Sequence, residues 1–145
     1  MHRVCSSLVA AGLVAAVAAP AVAQDAAPTV LRASLSGMNE NNPAGDPDGT
    51  GSARITLNPS RGRVCYRFTL RQIGTVDAGH IHKGGPSVNG PVSVPLFAKA
   101  TQQPSGCVSA SKSLVRAIAR HPRRYYVNVH NSTYPAGAAR GQLHR

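Results

Sequence analysis

Residues 63–70, Arg-Val-Cys-Tyr-Arg-Phe-Thr-Leu, decide the fold class because their apolar side chains alternate along the chain. Successive side chains of a β-strand point to opposite faces, so the four apolar ones share a face. These four are Val64, Tyr66, Phe68 and Leu70. The turn residues Pro59 and Gly62 lie just before, and a second alternating run, Ser52–Leu57, precedes the turn. The two runs are predicted to form a β-hairpin.

Short runs of this kind recur along the chain, separated by segments rich in Gly, Pro, Asn and Asp. The predicted strands are Val30–Leu35, Ser52–Leu57, Arg63–Leu70, Val76–His82, Val92–Phe97, Tyr125–His130 and Ala138–Leu143. One helix is predicted over Ser111–Arg120, because a serine cap precedes apolar residues at helical spacing and His121-Pro122 ends the pattern. Seven or eight short strands and one short helix predict an all-β fold, a Greek-key antiparallel β-sandwich.

The amino terminus is typical of a secretory signal peptide. A basic start at Arg3 is followed by an apolar run over residues 8–22, and Ala21-Val22-Ala23 supplies small residues for cleavage. The predicted organisation is a signal peptide over residues 1–23, a flexible tail over residues 24–29 and one domain over residues 30–145. We therefore expect an exported protein, periplasmic or extracellular. No second apolar run follows, so we expect no transmembrane anchor.

Two cysteines, Cys65 and Cys107, remain after the predicted cleavage. An oxidising compartment favours a disulfide between them, which would close a loop of about 40 residues. The alternative is a pair of buried free thiols. We expect the disulfide, because two cysteines in an exported chain can pair.

The chain is strongly basic, with a formal net charge of +11 and only five acidic residues. An exported basic protein can bind an anionic cell-surface polymer, and an extracellular protein is the other candidate partner. The alternative is a solvated basic surface without a partner. Nucleic acid is not expected, because the chain has no Trp, few aromatic residues and no nucleic-acid-binding motif.

Three histidines are the candidate metal ligands. His80 and His82 are two residues apart on a predicted strand, so both imidazoles point to the same face. His130 ends a later predicted strand, and it completes a three-imidazole site if the two strands are neighbours. Nitrogen donors suit Cu(II) and Zn(II). A cluster of hydrogen-bonded histidines with a purely structural role is the alternative, and the sequence leaves both open.

Four segments of the chain resemble the CHRD domain, the module named after chordin. They are residues 78–84 (AGHIHKG), 89–92 (NGPV), 126–131 (YVNVHN) and 134–143 (YPAGAARGQL). The resemblance spans about Val30 to Leu143, and one departure is Gly79, where the family usually has Ala. It implies an extracellular β-rich module and no settled activity.

A more distant similarity concerns copper–zinc superoxide dismutases. A His-x-His strand, a late strand ending in His and a Gly-containing loop with an Arg resemble their copper site. This likeness implies that His80, His82 and His130 bind copper and that Arg140 steers an anion. Arg140 has a second interpretation, bracing the loop at Tyr134–Gly137. Residues 83–107 lack the metal-bridging histidine, and the zinc ligands are also missing, so dismutase activity is not expected.

The sequence lacks the nucleophile elbows, paired carboxylates and phosphate-binding loops of common enzyme classes, so we assign no catalytic residues. We expect a non-enzymatic, exported CHRD-type binding or structural module. The alternative is a copper-binding protein, with or without redox activity, that uses the three histidines. Copper is the one candidate cofactor.

Overall fold

A computed structural model describes residues 27–41 and 43–145. The predicted signal peptide and residues 24–26 of the predicted tail lie outside these residues. The described strands are β1 (Thr29–Ser36), β2 (Thr50–Asn58), β3 (Arg63–Arg71), β4 (Ala78–Lys83), β5 (Val92–Phe97), β6 (Ser105–Ser109), β7 (Tyr125–His130) and β8 (Ala139–Gln142). The described α-helix is α1 (Lys112–Arg120), and two short 3₁₀ turns lie at Gly37–Asn39 and Pro122–Arg124. No helix in the described ranges is long and apolar enough to cross a membrane.

All strand pairs in the described chain are antiparallel and belong to one eight-stranded sheet in the order β5-β4-β7-β8-β1-β2-β3-β6. The sheet has two halves of four strands, joined where β8 meets β1. That junction is narrow, with Ser36 opposite Arg140 and an isolated bridge between Arg32 and His144. The predicted all-β class is confirmed. The finer expectation of a dismutase-like Greek-key sandwich is not confirmed, because strand pairing is continuous through both halves of the sheet.

Buried apolar side chains from both halves of the sheet form one core cluster. Leu31, Ile55 and Val64 come from one half, and Ile81 and Val127 come from the other; all five are fully buried. Alternation along each strand places these residues inward and their polar neighbours outward. The polar face of β4, β7 and β8 is therefore held in position by a core on the opposite side of the same strands.

The helix and its cap follow the sequence prediction. Ser111 is the N-cap, and its hydroxyl accepts a hydrogen bond from the Leu114 backbone amide at 3.2 Å. Val115 and Ile118 are fully buried against the core. The helix thus closes the core near β2 and β3 with its apolar face.

One strand was not predicted. Residues 101–106 were expected to form a turn leading to Cys107, but the last two of them belong to the segment Ser105–Ser109, which has little apolar alternation. It forms the edge strand β6 by pairing with β3, where Cys107 lies directly opposite Cys65. At the other edge, β5 contains Pro95 and pairs with β4 through a register shift, as expected for a proline in a strand.

The predicted disulfide joins Cys65 and Cys107, with a sequence separation of 42 residues. It ties the weakly patterned strand β6 to the centre of the β3 ladder. In the chain-entropy description, closing a loop of this length disfavours the unfolded state by about 4 kcal/mol.

Replacing both cysteines in a Cys65→Ser, Cys107→Ser variant is expected to lower the free energy of unfolding by roughly 3–4 kcal/mol, because the unfolded chain regains its loop entropy. Denaturant unfolding of both proteins measures this difference. A loss below about 1 kcal/mol would show that β6 is held by backbone pairing alone.

Candidate functional site

The outward face of β4, β7 and β8 carries a row of polar and aromatic side chains. Directly opposite residues of antiparallel strands share a face, and His80 lies opposite Asn128, which lies opposite Arg140. The full set on this face is Ala78, His80, His82, Tyr126, Asn128, His130, Arg140 and Gln142. The register of three strands thus brings together residues that are up to 64 positions apart in sequence.

The three predicted histidines lie together. His80 Nδ1 is 3.1 Å from His130 Nε2. The ring centroids of His80 and His82 are 5.5 Å apart. One ring nitrogen from each of the three histidines can be chosen so that all lie within 4.8 Å of one another. The structure therefore places all three at one point on the sheet. The sequence allowed this only if the strands of His80 and His130 were neighbours, and β4 pairs with β7.

Two backbone carbonyls fix which nitrogens face the cluster. His82 Nδ1 is 2.8 Å from the Gly90 carbonyl oxygen, and His130 Nδ1 is 3.0 Å from the Pro135 carbonyl oxygen. A carbonyl only accepts, so the proton of each neutral ring is on Nδ1 and its Nε2 carries a lone pair. Nε2 of His82 is buried and has no hydrogen-bond partner. This orphaned nitrogen is the donor that a metal ion would satisfy.

His80 and His130 favour the neutral form that metal coordination requires. Burial, followed by the neighbouring His130 and His82, lowers the pKa of His80 from 6.5 to about 4, and Asn128 opposes this weakly. Burial is also the main cause that lowers the pKa of His130, against the Pro135 carbonyl. At neutral pH both rings are uncharged and offer nitrogen lone pairs.

The cluster is wider than a loaded metal site. Two nitrogens bound to one ion at about 2.0–2.1 Å lie at most about 4.2 Å apart, whereas the widest pair here spans up to 4.8 Å. The outermost ring must therefore move inward when an ion binds. His80 and His130 are only partly buried.

Arg140 is buried, with 2% of its surface exposed, and it binds the loop between β4 and β5. Its guanidinium donates to the Asn89 side-chain oxygen at 3.2 Å and to the Gly85 and Val88 carbonyls at 3.0 and 3.1 Å. The sequence had suggested two roles, anion steering or bracing of residues 134–137. In the described chain the guanidinium donates its hydrogen bonds to residues 85–89, and anion steering stays a prediction.

A stack of three side chains links Arg140 to the histidines. The guanidinium carbon of Arg140 lies 3.5 Å from the centre of the Tyr126 ring, and the His82 ring stacks on Tyr126 at 4.9 Å with an interplanar angle of 7°. The Tyr126 hydroxyl accepts from the Gly90 amide at 3.2 Å. Tyr126 and the loop therefore hold His82 in one orientation.

Two further residues of the region were missed by the sequence analysis. Asn128 is 3% exposed and lies between His80 and Arg140, and its Oδ1 has no hydrogen-bond partner. Glu40 follows β1; a side chain at Gly137 would collide with its carboxyl group. Burial raises the pKa of Glu40 from 4.5 to about 7, although Arg140 lowers it in part. The only available signal was that Glu40 is the sole glutamate of the chain.

A comparison with protein families matches the CHRD domain over residues 31–143. The chain belongs to the CHRD domain family. The match includes both disulfide cysteines, the three clustered histidines and Arg140. No curated protein and no solved structure matches the chain. The similarity of this CHRD domain to copper–zinc superoxide dismutases therefore stays a prediction from the histidine pattern.

Replacing Arg140 by Lys keeps the charge of this CHRD domain but removes the planar fork that holds three oxygen atoms. We expect a loss of roughly 2–4 kcal/mol in unfolding free energy and faster amide exchange at Gly90. The exposed Arg116→Lys variant is the matched control and should change stability by less than about 0.5 kcal/mol. Unchanged exchange in Arg140→Lys would mean that the loop does not depend on the guanidinium.

The raised pKa of Glu40 predicts a pH-dependent stability. Between about pH 4.5 and 7 the folded protein holds a proton on Glu40 that the unfolded chain has lost, so this group makes stability fall as pH rises. The Glu40→Gln variant should therefore gain stability relative to the parent between pH 5 and pH 8. Denaturant unfolding of the parent and the variant at pH 5 and pH 8 measures this gain, with the exposed Asp48→Asn variant as the control. A constant difference would show that Glu40 titrates alike in both states.

Proposed function

We propose that this CHRD domain is an exported metal-binding module whose His80, His82 and His130 bind one Cu(II) ion. The observation that carries the proposal is the convergence of three imidazoles, with a buried and unpartnered Nε2 on His82. A buried polar atom without a partner lowers stability, and a bound ion would remove that penalty.

The donor set favours copper over other divalent ions. All three candidate ligands are neutral nitrogens, which suit Cu(II) and Zn(II) and are poor ligands for Mg²⁺ or Ca²⁺. Cu(II) exceeds Zn(II) in affinity for a given nitrogen site. The Nδ1 hydrogen bonds to Gly90 and Pro135 are the outer-shell contacts that orient metal-binding imidazoles.

The setting agrees with this role. CHRD domains are extracellular modules, and the Cys65–Cys107 disulfide is of the kind that persists in oxidising compartments. Export to the periplasm or the medium is part of the proposal and follows from the predicted signal peptide. Metal binding requires no catalytic step, and none is proposed.

The competing interpretation is that the histidines only stabilise the fold. The two carbonyl contacts are structural hydrogen bonds in either case. The hydrogen bond between His80 and His130 uses the lone pair of His130 Nε2, so it belongs to the structural case and is given up when that nitrogen binds an ion. The two functions differ in what a variant loses. A structural cluster loses stability alone, whereas a metal site also loses affinity for the ion.

Titration of the purified protein with Cu(II), against a competing chelator, is expected to show one site of sub-micromolar affinity. Single His80→Ala, His82→Ala and His130→Ala variants should each weaken it by about 100-fold or more, as the loss of one of three ligands implies. The His121→Ala and His144→Ala variants are the matched controls. Electron paramagnetic resonance should show nitrogen coupling that each ligand variant reduces.

The result that would contradict the proposal is Cu(II) affinity that is equal in the three ligand variants and in the two controls. Thermal unfolding of each variant without metal identifies any that fail to fold. His82→Gln, which keeps a polar side chain of similar length, provides a second variant at the most buried position.

A further inference from the structure

The outer face of β1, β2 and β3 carries a ladder of arginines that includes none of the clustered histidines. Arg32 lies directly opposite Arg54, and Arg54 lies directly opposite Arg67. All three are exposed. We call these three residues the arginine ladder. An isolated β-bridge pairs His144 with Arg32 on the side away from Arg54. Four basic side chains therefore form one row across the neighbouring chain segments.

This arrangement opposes folding unless a negative charge compensates it. Like charges directly opposite on neighbouring strands repel, and adjacent strands are only about 4.8 Å apart. In the described chain no carboxylate forms a salt bridge with the arginine ladder. The described acidic residues are Glu40, Asp46, Asp48 and Asp77, and all lie on loops outside these strands.

The surroundings of the ladder add hydrogen-bonding groups. Ser34, Ser52 and Thr69 lie opposite one another two residues along the same strands, which places a row of hydroxyls beside the row of arginines. Both rows line a shallow depression of about 220 Å³. His144 lines this depression and also an adjoining cleft of about 600 Å³.

That adjoining cleft is also basic. The side chains lining it are Arg120, His121, Pro122, Arg123, Arg124, His144 and Arg145. No acidic side chain lines either cavity in the described chain. The ladder and the cleft together form a continuous basic surface, with His144 at the junction.

We propose that the arginine ladder binds an acidic polysaccharide. The arginines repeat at the strand spacing of about 4.8 Å, which is close to the length of one sugar residue in an extended chain. Guanidinium groups bind carboxylate or sulfate groups through paired hydrogen bonds. The parallel hydroxyl row of Ser34, Ser52 and Thr69 matches the sugar hydroxyls.

Two other polyanions fit this surface less well. Single-stranded nucleic acid is bound by stacking on aromatic rings, and the aromatic residues of β1–β3 belong to the core cluster (Phe68) or pack against it (Tyr66). A membrane surface favours exposed apolar side chains beside the basic ones. The large exposed apolar residues of the described chain, Met38, Val88 and Val92, lie outside these three strands.

Binding of an oligogalacturonate of defined length to the purified protein tests the proposal, with a neutral dextran oligosaccharide as the ligand control. We expect saturable binding that weakens as salt is added, because salt screens the charges. The Arg54→Gln variant should bind about tenfold more weakly, because it loses one charge-assisted contact with the ligand. Its melting temperature at low salt should rise, because Arg54 is flanked by two like charges.

Two triple variants distinguish specific binding by the arginine ladder from attraction by the total charge of the protein. One replaces Arg32, Arg54 and Arg67 by Gln; the other replaces the exposed Lys83, Lys99 and Lys112 by Gln. Both lose three positive charges. The arginine variant should bind at least about 100-fold more weakly, and the lysine variant should change affinity less than about threefold.

Three results would overturn the proposal. Equal losses in the two triple variants would show attraction by net charge alone. Tighter binding of a single-stranded oligonucleotide of matched charge would assign the surface to nucleic acid. Binding to phosphatidylglycerol vesicles without binding to oligogalacturonate would assign it to a membrane surface. Failure of the copper titration leaves this test unaffected, because the ladder shares no residue with the histidine cluster.

Discussion

The buried guanidinium of Arg140 organises the polar face on which the histidines lie. Its hydrogen bonds hold residues 85–89. It also lies against the Tyr126 ring, and the His82 ring stacks on Tyr126. The same loop presents the Gly90 carbonyl that fixes the His82 tautomer. One buried cation, kept in place by carbonyl oxygens and an aromatic ring, therefore determines which nitrogen faces the cluster.

The two candidate sites lie on the two halves of the sheet. The histidine cluster is on the half containing β4 and β7, where the pKa values of His80 and His130 are lowered and the rings stay neutral. The arginine ladder is on the half containing β2 and β3, where like charges are aligned by strand register. The sheet thus separates a neutral nitrogen site from a cationic surface, and each has a chemistry that the other lacks.

Much of this was predictable from local pattern. Alternation identified seven strands, the serine cap identified the helix, and the spacing of His80 and His82 placed two rings on one face. The register in which the strands pair could not be predicted from the sequence. Strand β6 forms only because β3 offers an edge, and Arg140 binds residues 85–89 because β8 pairs with β7. The raised pKa of Glu40 likewise depends on packing near Gly137.

The central claim is that one ion binds between three rings on β4 and β7. The most direct measurement is anomalous X-ray diffraction at the copper edge from crystals grown with one equivalent of Cu(II). The account predicts one strong peak about 2.0–2.1 Å from a ring nitrogen of His80, His82 and His130, with the rings drawn closer than in the metal-free protein. Density only at His121 or His144, with none between the three rings, would contradict it.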